Sequence, residues 1–184
     1  MGKSTYPDKQ FPTHLERQSE LLGPTLKHIW QHNGHQKIIL VGHSLGGSLV
    51  PLLAADYPEY TRGVVILAGD VNPKLAQARW YNTLLNWIPD ALIPDEWAHS
   101  NMEVLALSES LSQVQQRLAQ LHTPITILQG TADELVDPDN AKIAKQLFQH
   151  SQLKVEWIPG AGHIIHLQHI DLVKAAIEKM NQRS

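Results

Sequence analysis

The stretch Lys37-Ile38-Ile39-Leu40-Val41-Gly42-His43-Ser44-Leu45-Gly46-Gly47 constrains the fold more than any other part of the chain. Its first five residues form a short β-branched apolar run bounded by turn residues. Such a run suits a strand buried on both faces, as in a parallel sheet. An apolar helical segment comes next, from about Gly46 to Asp56, and stops before Pro58. Six residues must therefore turn a strand sharply into a helix, with Ser44 at the apex. The reading expects side chains two residues either side of the serine to collide with the turn, which explains glycine at both 42 and 46. The hydroxyl then stands clear of the backbone at the carboxyl end of the strand, where open α/β sheets place their sites. The amide of Leu45, at the helix N-terminus, points to where an oxyanion would form.

The rest of the chain repeats the strand pattern. Gly63–Ala68, Ile125–Leu128 and Leu153–Ile158 are three further apolar runs, with helical segments at about 138–150 and 167–181. Alternating strands and helices predict an α/β fold, a parallel sheet whose right-handed crossovers lay helices on both faces. Before the first strand, Leu15, Leu21, Leu22, Leu26, Ile29 and Trp30 recur at helical spacing. Thr13 and Glu16 suggest a capping box, Gly23-Pro24 an interruption or kink, and Gly34 the end. The stretch 71–123 separates two strands by more than an ordinary crossover needs. It holds Trp80, Tyr81, Trp87 and Trp97 and a helix around Met102–Leu121, and reads as an inserted small helical cap within one domain spanning 1–184. The tryptophans suit either the cap's own core or an apolar wall for a substrate.

Composition narrows the function classes. The 184 residues are 42% hydrophobic and 18% charged, values of a globular chain. A net charge of −3 offers no electrostatic case for nucleic acid. The absence of cysteine removes thiol catalysis, disulfides and thiolate metal sites. No apolar run is long enough for a membrane span, and residues 1–10 lack the apolar core of a signal peptide, so a cytoplasmic location is expected. His163, His166 and His169, and likewise His28, His32 and His35, have spacings seen in metal sites, but solvated histidines are the simpler reading. Gly2-Lys3-Ser4 lacks the earlier glycine and preceding strand of a phosphate loop. Neither a cofactor nor a metal is expected.

A serine nucleophile needs a base, and the base an orienting acid. Asp133 falls in the loop past the third strand, and His163 in the tight loop past the fourth, so neighbouring strands bring them together above the edge that carries Ser44. Asp70, after the second strand, competes as acid. Glu134 and Asp137 lie further along the Asp133 loop, and Asp137 suits a helix N-cap. His166 and His169 compete with His163 but sit toward or inside the last helix.

The runs GHSLGG, GTADELVDPDNA and IPGAGHIIHLQH, in that order and setting, resemble the α/β-hydrolase superfamily. The resemblance covers nearly the whole chain. It implies Ser44 as nucleophile, Asp133 as acid, His163 as base and the Leu45 amide as one oxyanion donor. It implies hydrolysis of a small carboxylic ester or related acyl compound. It also implies a second oxyanion donor, from a loop after an earlier strand, and no such strand precedes Lys37. The expectation is an N-terminally shortened hydrolase with an exposed sheet edge, covered by its own N-terminal segment, by further sequence or by a second copy of the chain. The alternative is a non-catalytic interaction protein that keeps the triad without a complete oxyanion hole.

Overall fold

A computed structural model of the chain describes residues 14–76 and 95–182. Its elements run α1 (Leu15–His32), β1 (Ile38–His43), α2 (Leu45–Asp56), β2 (Thr61–Leu67), α3 (Asp95–Ala119), β3 (Ile125–Gly130), α4 (Asp139–Leu147), β4 (Leu153–Ile158), α5 (Ile165–Gln168) and α6 (Ile170–Asn181). The four strands form one parallel sheet in the order β1-β2-β3-β4. The expected α/β fold, a parallel sheet with flanking helices, is thus the observed one.

The side-chain alternation of β2 explains the layering. Val64 and Ile66 join Leu40, Ile125 and Ile127 in a core that also takes Leu15 of α1, Leu52 of α2, Leu111 of α3 and Phe148 just after α4. Val65 and Leu67 face the other way, onto Ile165, Val173, Ala176 and Met180 of α5 and α6. Burial on both faces is why these strands read as unbroken apolar runs.

Local expectations fare differently. Thr13 lies outside the described residues, and Glu16 pairs with Arg117 of α3, which also reaches Asp56 of α2 at 2.9 Å. α1 runs on through Gly23 and Pro24. Gly23 gives the Tyr57 ring its place, since a Cβ there would lie 2.2 Å from the Tyr57 hydroxyl oxygen and the ring would have to shift. Gly34 has φ +77° just past the helix end, as its place after the last apolar residue suggested. The last helical segment is split at His169, which caps α6 rather than lying inside it.

Of the stretch 71–123, residues 77–94 and the side chains of 95–100, with Trp80, Tyr81, Trp87 and Trp97, lie outside the described set. The remainder of α3 belongs to the body of the fold: Leu107, Leu111, Val114 and Leu118 are buried in the main core. No helix among the described residues is long and apolar enough to cross a membrane.

Candidate active site

Ser44 is the residue between β1 and α2. It has φ +55° and ψ −122°, a conformation that strains any residue with a side chain. The surroundings enforce it. The Ser44 amide donates to the Leu67 carbonyl at 2.9 Å, so β1–β2 pairing continues into the turn. The Ser44 carbonyl accepts from Gly47 and Ser48, the first bonds of α2. A Cβ on Gly42 would lie 2.1 Å from the Gly46 carbonyl oxygen. The expectation for Gly46 fails: a Cβ there would meet nothing within 4 Å. The second close approach is at Gly47, whose Cβ would lie 2.9 Å from Gly69 Cα, where α2 packs on the loop after β2. Leu45 opens α2, so its amide has no acceptor within the helix.

Asp133 and His163 meet. His163 Nδ1 lies 3.0 Å from Asp133 Oδ2. The acid is 6% exposed and firmly held. Its Oδ1 accepts from the Leu135 and Val136 amides at 2.9 and 3.0 Å, and its Oδ2 from Gln129 Nε2 at 3.3 Å. Burial pushes the Asp133 carboxyl up, but the His163 hydrogen bond and the Val136 and Leu135 amides outweigh it and hold it below the ordinary carboxylate value. An ionised acceptor requires the proton on His163 Nδ1, which leaves Nε2 with a lone pair. Among the described residues the His163 hydrogen-bond partners do not include Ser44 Oγ. Such bonds commonly tighten only when substrate binds.

The two loops fit because glycine lets them. A Cβ on Gly130 would lie 2.3 Å from the Ala161 carbonyl oxygen. The Ala132 amide reaches that same oxygen at 3.0 Å, and the Gly160 amide reaches Thr131 Oγ1 at 2.8 Å.

The competing residues are occupied elsewhere. Asp70 Oδ1 accepts from Asn140 Nδ2 at 2.8 Å, and Asn140 Oδ1 takes the Val71 and Asn72 amides. Asp137 Oδ1 accepts from the Asp139 amide at 2.9 Å, but the N-cap position of α4 is Pro138, so Asp137 stands one residue before the expected capping place. Glu134 is exposed. The His28 and His32 rings lie 4.1 Å apart, tilted by 36°, on an exposed helix face. Among the described residues no three histidines or carboxylates converge on a point that could hold a metal.

Three contributors were missed in the sequence. Gln129 is fully buried and donates to Asp133; the only signal was a polar residue in an otherwise apolar strand end. Asn140 is buried and ties the loop after β2 to α4. His43, beside the serine, contacts His163, with its Nε2 2.8 Å from the His163 carbonyl oxygen and the two rings 4.6 Å apart.

Comparison with known proteins agrees with this architecture. Human and mouse monoglyceride lipases are 22% and 24% identical to the chain over 172 aligned residues, covering 78% of it. The chain spans 57% of the length of these curated relatives. A monoacylglycerol lipase from Paleococcus ferrophilus superposes with a TM-score of 0.68 at 20% identity, over 100% of this chain and 81% of that one. A hydrolase of 2-hydroxy-6-oxo-6-phenylhexa-2,4-dienoate from Rhodococcus sp. strain RHA1 gives 0.68 at 17% identity, over 99% and 76%. At such identities these structures speak for the fold. The profile of the alpha/beta hydrolase family matches residues 1–176, the strained serine turn and both loops included, and the chain belongs to that family.

Proposed function

We propose that the chain carries a serine hydrolase site for a small carboxylic ester, with Ser44 as nucleophile, His163 as base and Asp133 as acid. The observation that supports this reading is the 3.0 Å approach of His163 Nδ1 to the buried Asp133 Oδ2, a carboxyl held below its ordinary value and so suited to accept the Nδ1 proton. Nε2 is then free to take the Ser44 proton as Oγ attacks the carbonyl carbon. The Leu45 amide donates to the tetrahedral oxyanion. The imidazolium, stabilised by Asp133, returns its proton to the leaving alkoxide and the alcohol departs. Water, deprotonated by His163, then attacks the acyl-serine, and the imidazolium returns that proton to Ser44 Oγ as the acyl–oxygen bond breaks and the acid is released. The activity named for the curated relatives makes a monoacylglycerol the first ester to test. The stretch 71–123 is read as an insertion between β2 and β3, with α3 rooted in the core. A cytoplasmic location belongs to the same reading.

Labelling by a fluorophosphonate tests it. Wild type is expected to label, and Ser44→Ala to label not at all. A wild-type chain that never labels overturns the reading and leaves the non-catalytic interaction protein in its place.

A further inference from the structure

The histidine loop has a problem of reach. It leaves β4, whereas Ser44 leaves β1, and β2 and β3 lie between them. Three strand spacings amount to about 14 Å. The loop must arch back across the ends of β3 and β2 to bring an imidazole to the serine. Its bonds near β4 do not control that arch. The Ala161 carbonyl is held by Ala132, the Gly160 amide by Thr131, and the Ile165 amide bonds back to the His163 carbonyl.

The tie on the far side comes from His43, the last residue of β1. It pairs with Leu67 in the sheet and immediately precedes the strained Ser44, so its backbone is as fixed as the serine's. Its Nε2 lies 2.8 Å from the His163 carbonyl oxygen. A carbonyl only accepts, so the proton sits on His43 Nε2 and the imidazole donates. Its ring also packs against two members of the loop, at 4.6 Å from the His163 ring and 4.2 Å from the His166 ring.

We propose that His43 is a positioning residue, clamping the His163 main chain to the β1 edge so that the imidazole is held at a fixed reach from Ser44. The proposal rests on the hydrolase reading above. The clamp acts on the carbonyl of the same residue that supplies the base, so a lost donor frees the main chain to withdraw toward β3 and loosens the Nδ1 bond to the fixed Asp133 carboxylate. Displacement of about 1 Å in such a pair costs on the order of 10²-fold in rate. Substrate binding is left alone, because His43 contacts the loop through its main chain and rings rather than the acyl group. The groups facing His43 are His163, His166 and Asp133; burial first, then His163 and His166, hold it below its ordinary value against the opposing pull of the His163 carbonyl bond and Asp133. A neutral clamp adds no repulsion when His163 becomes imidazolium.

Three variants separate donor from bulk. His43→Phe keeps a ring without a donor, His43→Gln keeps an N–H at nearly the same reach, and His43→Leu serves if the phenylalanine variant does not fold. Turnover of p-nitrophenyl butyrate is expected to show kcat down about 10- to 100-fold in His43→Phe, with KM within about twofold and most of the rate restored by His43→Gln. Equal loss in the Phe and Gln variants, or wild-type kcat in His43→Phe, overturns the clamp. A second readout needs no turnover: the proton NMR signal of the His163 Nδ1–H. It is expected sharp in wild type and His43→Gln, and broadened by exchange in His43→Phe. An unchanged signal in the donorless variant overturns the clamp. Failure of the underlying hydrolase reading looks different, as absent fluorophosphonate labelling in wild type with the NMR difference intact.

Discussion

Asp133 concentrates the residue-scale physics of the site. Two main-chain amides, a buried glutamine and His163 all direct hydrogen bonds at one carboxylate. That convergence fixes a tautomer. In Asp133→Asn the side-chain amide can present an N–H to His163, which moves the imidazole proton to Nε2 and removes the base. The expected result is a fall of about 10⁴ in kcat with an unchanged circular dichroism spectrum, measured on the same p-nitrophenyl ester. A loss below about tenfold counts against Asp133 as the acid. The positions of Ser44, Asp133 and His163 were legible because each sits just past the end of an apolar run, where parallel strands deliver their loops. Gln129 and His43 were not. Gln129 meets Asp133 four residues on only because the loop after β3 folds back over the strand end, and no local spacing encodes a contact of 120 residues' separation such as His43 to His163.

The turn that joins β1 to α2 is the element on which everything depends, and its glycines are not equivalent. At Gly42 a methyl group would drive into the Gly46 carbonyl at 2.1 Å, and that backbone cannot yield without opening the turn. At Gly46 there is open space, and alanine favours a first helical turn over glycine by roughly 0.5–1 kcal/mol. Gly42→Ala is therefore expected to lower the thermal midpoint and abolish labelling, while Gly46→Ala leaves the midpoint equal or higher. Differential scanning calorimetry of the two variants decides, and equal destabilisation would remove the steric account of the turn. Strand runs were readable because burial on both faces leaves a continuous apolar signature. Helix boundaries were less so: α1 crosses Gly23-Pro24, and the glycine there lies against Tyr57, a tertiary neighbour that no local pattern announces. α3 shows the same limit. Its apolar repeat was visible, but only the fold shows Leu107, Leu111, Val114 and Leu118 buried in the main core beside α2.

Two properties belong to the whole molecule. The first is acid sensitivity. Burial leads the causes that hold His43 below its ordinary value of 6.5, so the unfolded chain takes up a proton there before the folded one. Stability is then lost as pH falls from 6.5 toward the folded value of His43. Asp133 has its folded value below 3.8, so its contribution is complete above that pH and lost as pH falls through the folded value. Thermal midpoints measured from about pH 8 to pH 4 are expected to decline below the ordinary histidine value of about 6.5, and the decline between about pH 6.5 and 5 to be shallower in His43→Phe. The second is the outer edge of β1. Among the described residues β1 pairs only with β2, and Val41 on that strand is 41% exposed. An apolar strand with one row of unpaired amides and carbonyls is a template for another strand. The chain is expected to self-associate as its concentration rises, and Val41→Lys to weaken that association while changing stability by no more than about 0.5 kcal/mol, as surface substitutions do. Sedimentation velocity over a concentration series reads both. A single species of monomer mass throughout would mean that this edge does not recruit a second copy, and an association untouched by Val41→Lys would move the contact to another face.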